Sequence, residues 1–250
     1  MEGAALLLER FCGRPFNYDR LSEFLATLKE AGRLRSRCWD LATNVPAPCT
    51  FMDLIAGHGP VLYAIGPQTV DYFQKLKEEL EQRVAQKIAA IPGEKYRLFW
   101  DNMAPWHSMG LLAKKMASLK ANFIVGRYVN EMWPCPEALD PEHPLETLAE
   151  QFVRYWTQIL SQSSLTPFSG ESFIANAIQK YHLDGVVMHH IITCRVYSMG
   201  QHDIIAEMEK RFGIPGIIIE GDQTDAYFFS EAQFDLRLRA LLEMIDSRRK

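Results

Sequence analysis

Two apolar runs near the C-terminus set the tightest limit on how this chain folds. Asp184-Gly185-Val186-Val187-Met188 and the run over residues 213–219 are each followed by a stretch with helical spacing. A run that is apolar at consecutive positions suits a strand covered on both faces, and strands separated by helices pair in parallel. Residues 96–100 and 121–125 repeat the pattern earlier in the chain. The prediction is an α/β fold: an open, four-stranded parallel sheet flanked by helices, flavodoxin- or Rossmann-like, with strands near 96–100, 121–125, 185–188 and 214–219. Residues 93–250 form this α/β domain, and residues 1–92 form a helical lobe before it.

The lobe is read from periodicity. Leu21, Phe24, Leu25 and Leu28 share one face of a helix running from Asp19 to about Arg37, which Val45-Pro46-Ala47-Pro48 closes off. A second helix follows Gly66-Pro67, with Val70, Phe73, Leu80, Val84 and Ile88 as its buried stripe and Pro92-Gly93 as its stop. Further helices are expected over 109–119, 145–160, 171–181, 198–212 and 230–245, with a loop around Pro134-Cys135-Pro136. Ser198 with Gln201, and Ser230 with Gln233, have the spacing of capping boxes.

Composition removes several functions. The 250 residues carry 27 Lys and Arg against 31 Asp and Glu, a net charge of −4, so no basic excess argues for nucleic acid or an anionic membrane surface. No apolar run approaches the ~20 residues of a membrane helix. The first ten residues lack a basic leader and a small-residue cleavage site, which places the protein in the cytoplasm. Five cysteines, Cys12, Cys38, Cys49, Cys135 and Cys194, form no CxxC pair, so they read as free thiols or as ligands gathered in space.

Ligands of open parallel sheets bind beyond the C-terminal strand ends. That rule selects Asp101-Asn102-Met103, Gly126-Arg127, residues 189–197 and residues 220–225. Cys194 is placed between a strand end and a helix start, where helix amides and Arg195 favour a thiolate able to act as nucleophile or soft-metal ligand; the alternative is a buried free cysteine. His189-His190 lacks any zinc-binding spacing, and neighbours on an extended chain point to opposite sides. Glu220, Asp222 and Asp225 cluster around Gly221, either as a cation or ligand site or as ordinary loop residues. Trp100, Trp106 and Trp133 either line an apolar pocket or pack. No GxGxxG, GxxxxGK[ST] or GxSxG motif occurs.

The stretch from Asp184 through Thr193-Cys194-Arg195 and Tyr197-Ser198-Met199-Gly200-Gln201 resembles the C-terminal motif of the 2-hydroxyacyl-CoA dehydratase and benzoyl-CoA reductase family. So does Gly213-Ile-Pro-Gly-Ile-Ile-Ile-Glu220-Gly221-Asp222, followed by Ser230-Glu231-Ala232-Gln233 and Arg237. The resemblance implies a subunit, or part of one, in a radical enzyme acting on a CoA thioester by low-potential electron transfer. It implies a 4Fe-4S cluster with Cys194 as one ligand, and Thr193, Arg195, Ser198, His190, Glu220 and Asp222 near the cluster or substrate. The implied partners are a homologous second subunit and an ATP-dependent iron–sulfur activator protein.

Subunits of that family are longer, and an additional N-terminal α/β domain supplies the other cluster cysteines; Met1 falls near the middle of such a subunit. The expected chain is therefore a truncated frame, half of a split subunit, or a paralogue without the cluster. Two other readings stay open: a non-catalytic scaffold that binds a CoA ester, and a flavodoxin-like small-molecule binder.

Overall fold

The computed structural model describes residues 1–57, 65–127, 138–162 and 173–249. Trp133, Cys135 and the loop around Pro134-Cys135-Pro136 lie outside them. The chain opens with helices α1 (Glu2–Cys12), α2 (Tyr18–Leu41), α3 (Phe51–Ala56) and α4 (Pro67–Ala85). It then alternates: β1 (Tyr96–Asp101), α5 (Met109–Ser118), β2 (Ala121–Gly126), α6 (Pro144–Gln162), α7 (Phe173–Lys180), β3 (Gly185–Ile191), α8 (Arg195–Ser198), α9 (Gln201–Phe212), β4 (Gly216–Gly221) and α10 (Glu231–Arg248). Single 3-10 turns occupy Trp106–Ser108 and Ala226–Phe228. Among the described residues, no helix is long and apolar enough to cross a membrane.

The four strands form one parallel sheet in the order β2-β1-β3-β4. β1 and β2 are buried at every position, including the polar residues Arg97, Asp101 and Asn122 that interrupt their apolar sequence. Two glycines show that the other half of the sheet is covered on both faces. A side chain on Gly185 would meet Leu241 and Ile245 of α10, and one on Gly216 would meet Ile205 of α9. Val186 pairs with Gly216, so Gly185 and Gly216 face opposite sides.

The helical segment is fastened to the sheet at two points. At the C-terminal end of β2, a methyl on Gly126 would lie 2.4 Å from the Phe51 ring and 2.8 Å from the Trp100 carbonyl, so only glycine lets α3 approach this closely. At the other end of the sheet, Arg97 is 5% exposed, and its guanidinium donates to the carbonyl oxygens of Ala42 (3.0 Å), Asn44 (3.1 Å) and Tyr181 (2.9 Å) and to Glu94 (2.6 Å). One side chain thereby satisfies carbonyls left over just after α2 and α7, which have no partners within their own helices. Glu94 also accepts from the Asn122 amide at 2.8 Å.

Several sequence expectations are corrected. β3 runs to Ile191 instead of stopping at Met188, so His189 and His190 are strand residues. β4 begins at Gly216 and includes Glu220. α4 ends at Ala85, well before Pro92-Gly93, and Ile88 beyond it is 46% exposed rather than part of a buried stripe. The capping box at Ser198 and Gln201 does not form. α9 starts at Gln201 behind Gly200 at φ 75°, while the Ser198 hydroxyl donates to the Ile191 carbonyl at 3.0 Å. At α10 one half of the expected capping box is present, with the Ser230 hydroxyl accepting from the Gln233 backbone amide.

Gly126→Ala is expected to destabilise the fold by about 1–3 kcal/mol through overpacking against Phe51. Arg97→Met is expected to cost about 3–5 kcal/mol, because it strands the buried Glu94 carboxylate. Urea unfolding followed by circular dichroism measures both.

Candidate functional site

The chain leaves β1 for β2 on one side and returns to β3 on the other, so the topological switch point lies between β1 and β3. A ligand crevice is expected above that point, and here the chain's own polar groups knit it together. Asn102 sits just past β1 in the left-handed region, at φ 76°, which asparagine tolerates better than most residues. Its side-chain oxygen accepts from the Met103 amide at 2.8 Å, and its Nδ2 donates to the His189 carbonyl at 3.0 Å. The side-chain amide of Gln201 donates to the same carbonyl at 3.1 Å.

The His189 imidazole reaches back across the switch point, with Nδ1 2.6 Å from the Met103 carbonyl. A carbonyl only accepts, so Nδ1 carries the proton. Nε2 has no hydrogen-bond partner among the described residues and rests against Gly221, where a methyl would lie 2.9 Å away. The ring is 1% exposed and packs beside Trp100 at 5.6 Å between centroids. Burial lowers its affinity for a second proton.

Asp222, just past β4, ties the neighbouring loops together. One carboxylate oxygen accepts from the Thr193 hydroxyl. The other accepts from the Thr224 amide (2.9 Å) and hydroxyl (3.1 Å) and from the Asp225 amide (3.0 Å). The Thr193 hydroxyl, followed by those backbone amides, holds the carboxyl well below the usual carboxylate range. His107, on the 3-10 turn after β1, sits with Nε2 3.2 Å from the Asp222 carbonyl. Both oxygens of the Asp222 carboxylate already have donors, so it serves as a loop brace.

At the end of β2, Arg127 meets Asp101 of β1 in a two-point ion pair at 2.8 and 2.9 Å, with side chains 2% and 0% exposed. Burial pushes the Asp101 carboxyl up and Arg127 pulls it down. The paired geometry is that of a carboxylate facing a guanidinium. Only the contact to Nη2 has hydrogen-bond alignment; the Nε contact is Coulombic.

The residues marked by the sequence are distributed unevenly over this rim. Thr193 and Asp222 touch. His190 and Glu220 are paired in register on β3 and β4 and so share a sheet face, with His190 half-buried and Glu220 exposed. Ser198 braces the β3 exit at Ile191. Arg195 is exposed and opens α8. Cys194 is partly exposed, and its amide donates to the Ile191 carbonyl at 3.0 Å. It is the N-cap of α8, a helix of only four residues. Trp100 is core, packed edge-on against Phe123, whereas Trp106 is exposed, so these two do not line a common pocket.

Sequence reasoning passed over Gln201 as a site residue, His107, and the Asp101–Arg127 partnership. Asp101-Asn102 and Gly126-Arg127 were visible as strand-end segments, yet only the pairing of β1 with β2 brings Asp101 and Arg127 into contact.

Among the described residues, no group of three or more His, Cys, Asp or Glu is placed to hold a metal ion. A four-iron cluster is usually held by four thiolates. Cys194 lies at this rim; Cys12 is exposed at the end of α1, and Cys38 and Cys49 are buried in the core. Burial pushes the Cys38 thiol up to about 12, and the Cys49 thiol is also raised by burial. The described residues therefore fit one ligand of such a cluster and not a complete set.

The His189 geometry fixes a pH response. Its folded-state pKa lies below that of the unfolded chain, so stability is fully present above about pH 6.5 and declines as pH falls toward the lowered value. Asp222 acts in a lower window, its contribution being lost only below about pH 4. Thermal melts as pH falls from about 6.5 to about 4 are expected to show a fall in Tm that His189→Gln flattens and Asp222→Asn leaves in place.

The family described as 2-hydroxyglutaryl-CoA dehydratase, D-component, matches residues 1–245. Among individual relatives, the chain is 27% identical over 245 residues to the alpha subunit of lactoyl-CoA dehydratase from Anaerotignum propionicum, covering 96% of this chain and 56% of that protein. It is 29% identical over 260 residues to a benzoyl-CoA reductase subunit from Thauera aromatica, covering 97% and 57%. It is 24% identical over 253 residues to the alpha subunit of (R)-2-hydroxyglutaryl-CoA dehydratase from Acidaminococcus fermentans, covering 99% and 50%. The chain thus spans about half the length of the curated relatives it matches. With nearly its whole length matched and Cys194, Thr193 and Asp222 at the C-terminal rim of a parallel sheet, this chain belongs to the 2-hydroxyglutaryl-CoA dehydratase D-component family.

Proposed function

We propose that the chain is a subunit, or part of a subunit, of an enzyme that dehydrates a 2-hydroxyacyl-CoA thioester or reduces an aromatic acyl-CoA thioester. The observation that carries this reading is the family match over residues 1–245, which covers every strand and the whole polar rim. In this reading Cys194 gives one thiolate to a 4Fe-4S cluster whose other ligands come from outside the described residues. When bound, such a cluster supplies one-electron transfer, which no side chain provides. Thr193 and Asp222 hold the Cys194 turn in place, Ser198 braces the strand end beneath it, and Arg195 adds positive charge beside it. His190 and Glu220 face the space over β3 and β4. The partners in this reading are a homologous second subunit, an ATP-dependent iron–sulfur activator and the thioester itself, with the cytoplasm as the place of action.

A second reading, a scaffold that has lost the cluster, is favoured by one observation: the rim offers a single thiol among the described residues. Anaerobic reconstitution with ferrous iron and sulfide separates the two. The chain is tested alone and with a polypeptide corresponding to the part of its relatives that it does not span. Iron retention is expected in the assembly, and Cys194→Ser is expected to lower it several-fold. Iron content that Cys194→Ser leaves unchanged favours the scaffold.

A further inference from the structure

Gln201 does not serve the helix start that its spacing with Ser198 suggests. Its side chain is 2% exposed and lies between two consecutive residues of β3. Nε2 donates to the His189 carbonyl at 3.1 Å, and Oε1 lies 3.3 Å from Nδ1 of His190. The orientation of this amide is chemically determined. The His189 carbonyl can only accept, so the NH2 group must face it, which leaves Oε1 toward His190. Oε1 also only accepts, so Nδ1 of His190 carries the hydrogen. A neutral imidazole has one such hydrogen, and Nε2 of His190 is left with a free lone pair.

The two histidines therefore differ in kind although they are adjacent. His189 is sealed on one sheet face beside Trp100 and Gly221. His190 is half-buried on the opposite face, directly across from the exposed Glu220 and shortly before the Cys194 turn.

We propose that Gln201 is a positioning residue that fixes His190 as the Nδ1–H tautomer, and that Nε2 of His190 is the proton-accepting group of this rim. The proton role rests on the dehydratase reading above. Loss of water from a 2-hydroxyacyl thioester removes hydroxide from C2 and a proton from C3, with no net change in electron count. The C3 proton goes to Nε2, the C3–H electron pair becomes the C2=C3 double bond as the C2–O bond breaks, and the imidazolium returns the proton to the departing hydroxide as water. The imidazole is neutral again at the end.

The test has two arms. In the full chain labelled with 15N-histidine, long-range 15N–1H correlations at mildly alkaline pH are expected to show His190 protonated at Nδ1, with the resonance identified by its loss in His190→Asn. Gln201→Leu is expected to move it toward the Nε2–H form, and Gln201→Glu, which still accepts from Nδ1, to retain the wild-type pattern. In the enzyme assembled with its partner subunit and activator, lactoyl-CoA is the probe. There His190→Asn is expected to lower kcat by about 10²–10⁴-fold, with KM changed only a few-fold and iron content unchanged. An Nε2–H tautomer in the wild-type chain overturns the positioning role of Gln201. A kcat unaffected by His190→Asn overturns the proton role. A wild-type assembly inert toward lactoyl-CoA, with the Nδ1–H tautomer intact, overturns the dehydratase reading and the proton role with it, and leaves the Gln201 contact standing.

Discussion

The rim of this sheet is organised around one residue, His189. Its carbonyl accepts from Asn102 after β1 and from Gln201 at the start of α9, its Nδ1 donates to Met103, and its ring fills the space that Gly221 leaves open at the end of β4. Three strand ends and one helix start thereby converge on a single residue, through its carbonyl and its neutral imidazole. The arrangement depends on that neutrality, because a second proton would place a charge in a buried setting with no acceptor for Nε2 among the described residues. The polar loops above, including the Thr193–Asp222 brace and the Cys194 turn, are built outward from this fixed base.

Charge is used differently at the two ends of the sheet. Below, Arg97 spreads its donors over two helix ends and Glu94, so that the helical segment and the sheet share one guanidinium. Above, Asp101 and Arg127 face each other between adjacent strands. Buried pairs of this kind add little net stability compared with apolar packing, but each partner enforces the position of the other. They set the register of the strand ends from which the rim residues project. Apolar burial across the sheet faces supplies the greater part of the stabilisation, and the ion pairs select among the ways it can be arranged.

The strands and most helices were legible because their signals are local. The consecutive apolar residues of 123–125 and 185–188 can be stable only between two covering layers, and the periodic leucines of α2 and α10 need only one. The family resemblance, carried by Asp184 through Gln201 and by Gly213 through Asp222, was legible for the same reason. The errors fall at element ends. His189 and His190 are polar and looked like loop residues, yet β3 extends through both because Asn102, Met103 and Gln201 satisfy their polar groups. Ser198 and Gln201 have the spacing of a cap, but Gly200 starts the helix and frees both side chains for the end of β3.

By itself the sequence determined the class of fold, the number and approximate position of the strands, and the presence of Cys194, Thr193 and Asp222 near strand ends. Hydrophobic periodicity is a property of neighbouring residues, and it carries that much. Only the tertiary structure decided that Thr193 meets Asp222, that Asp101 meets Arg127, that one histidine is sealed while its neighbour faces outward, and that Cys38 and Cys49 are buried away from the rim. Those contacts join residues far apart in the chain, and their geometry follows from strand order and register, which no local pattern of side chains encodes.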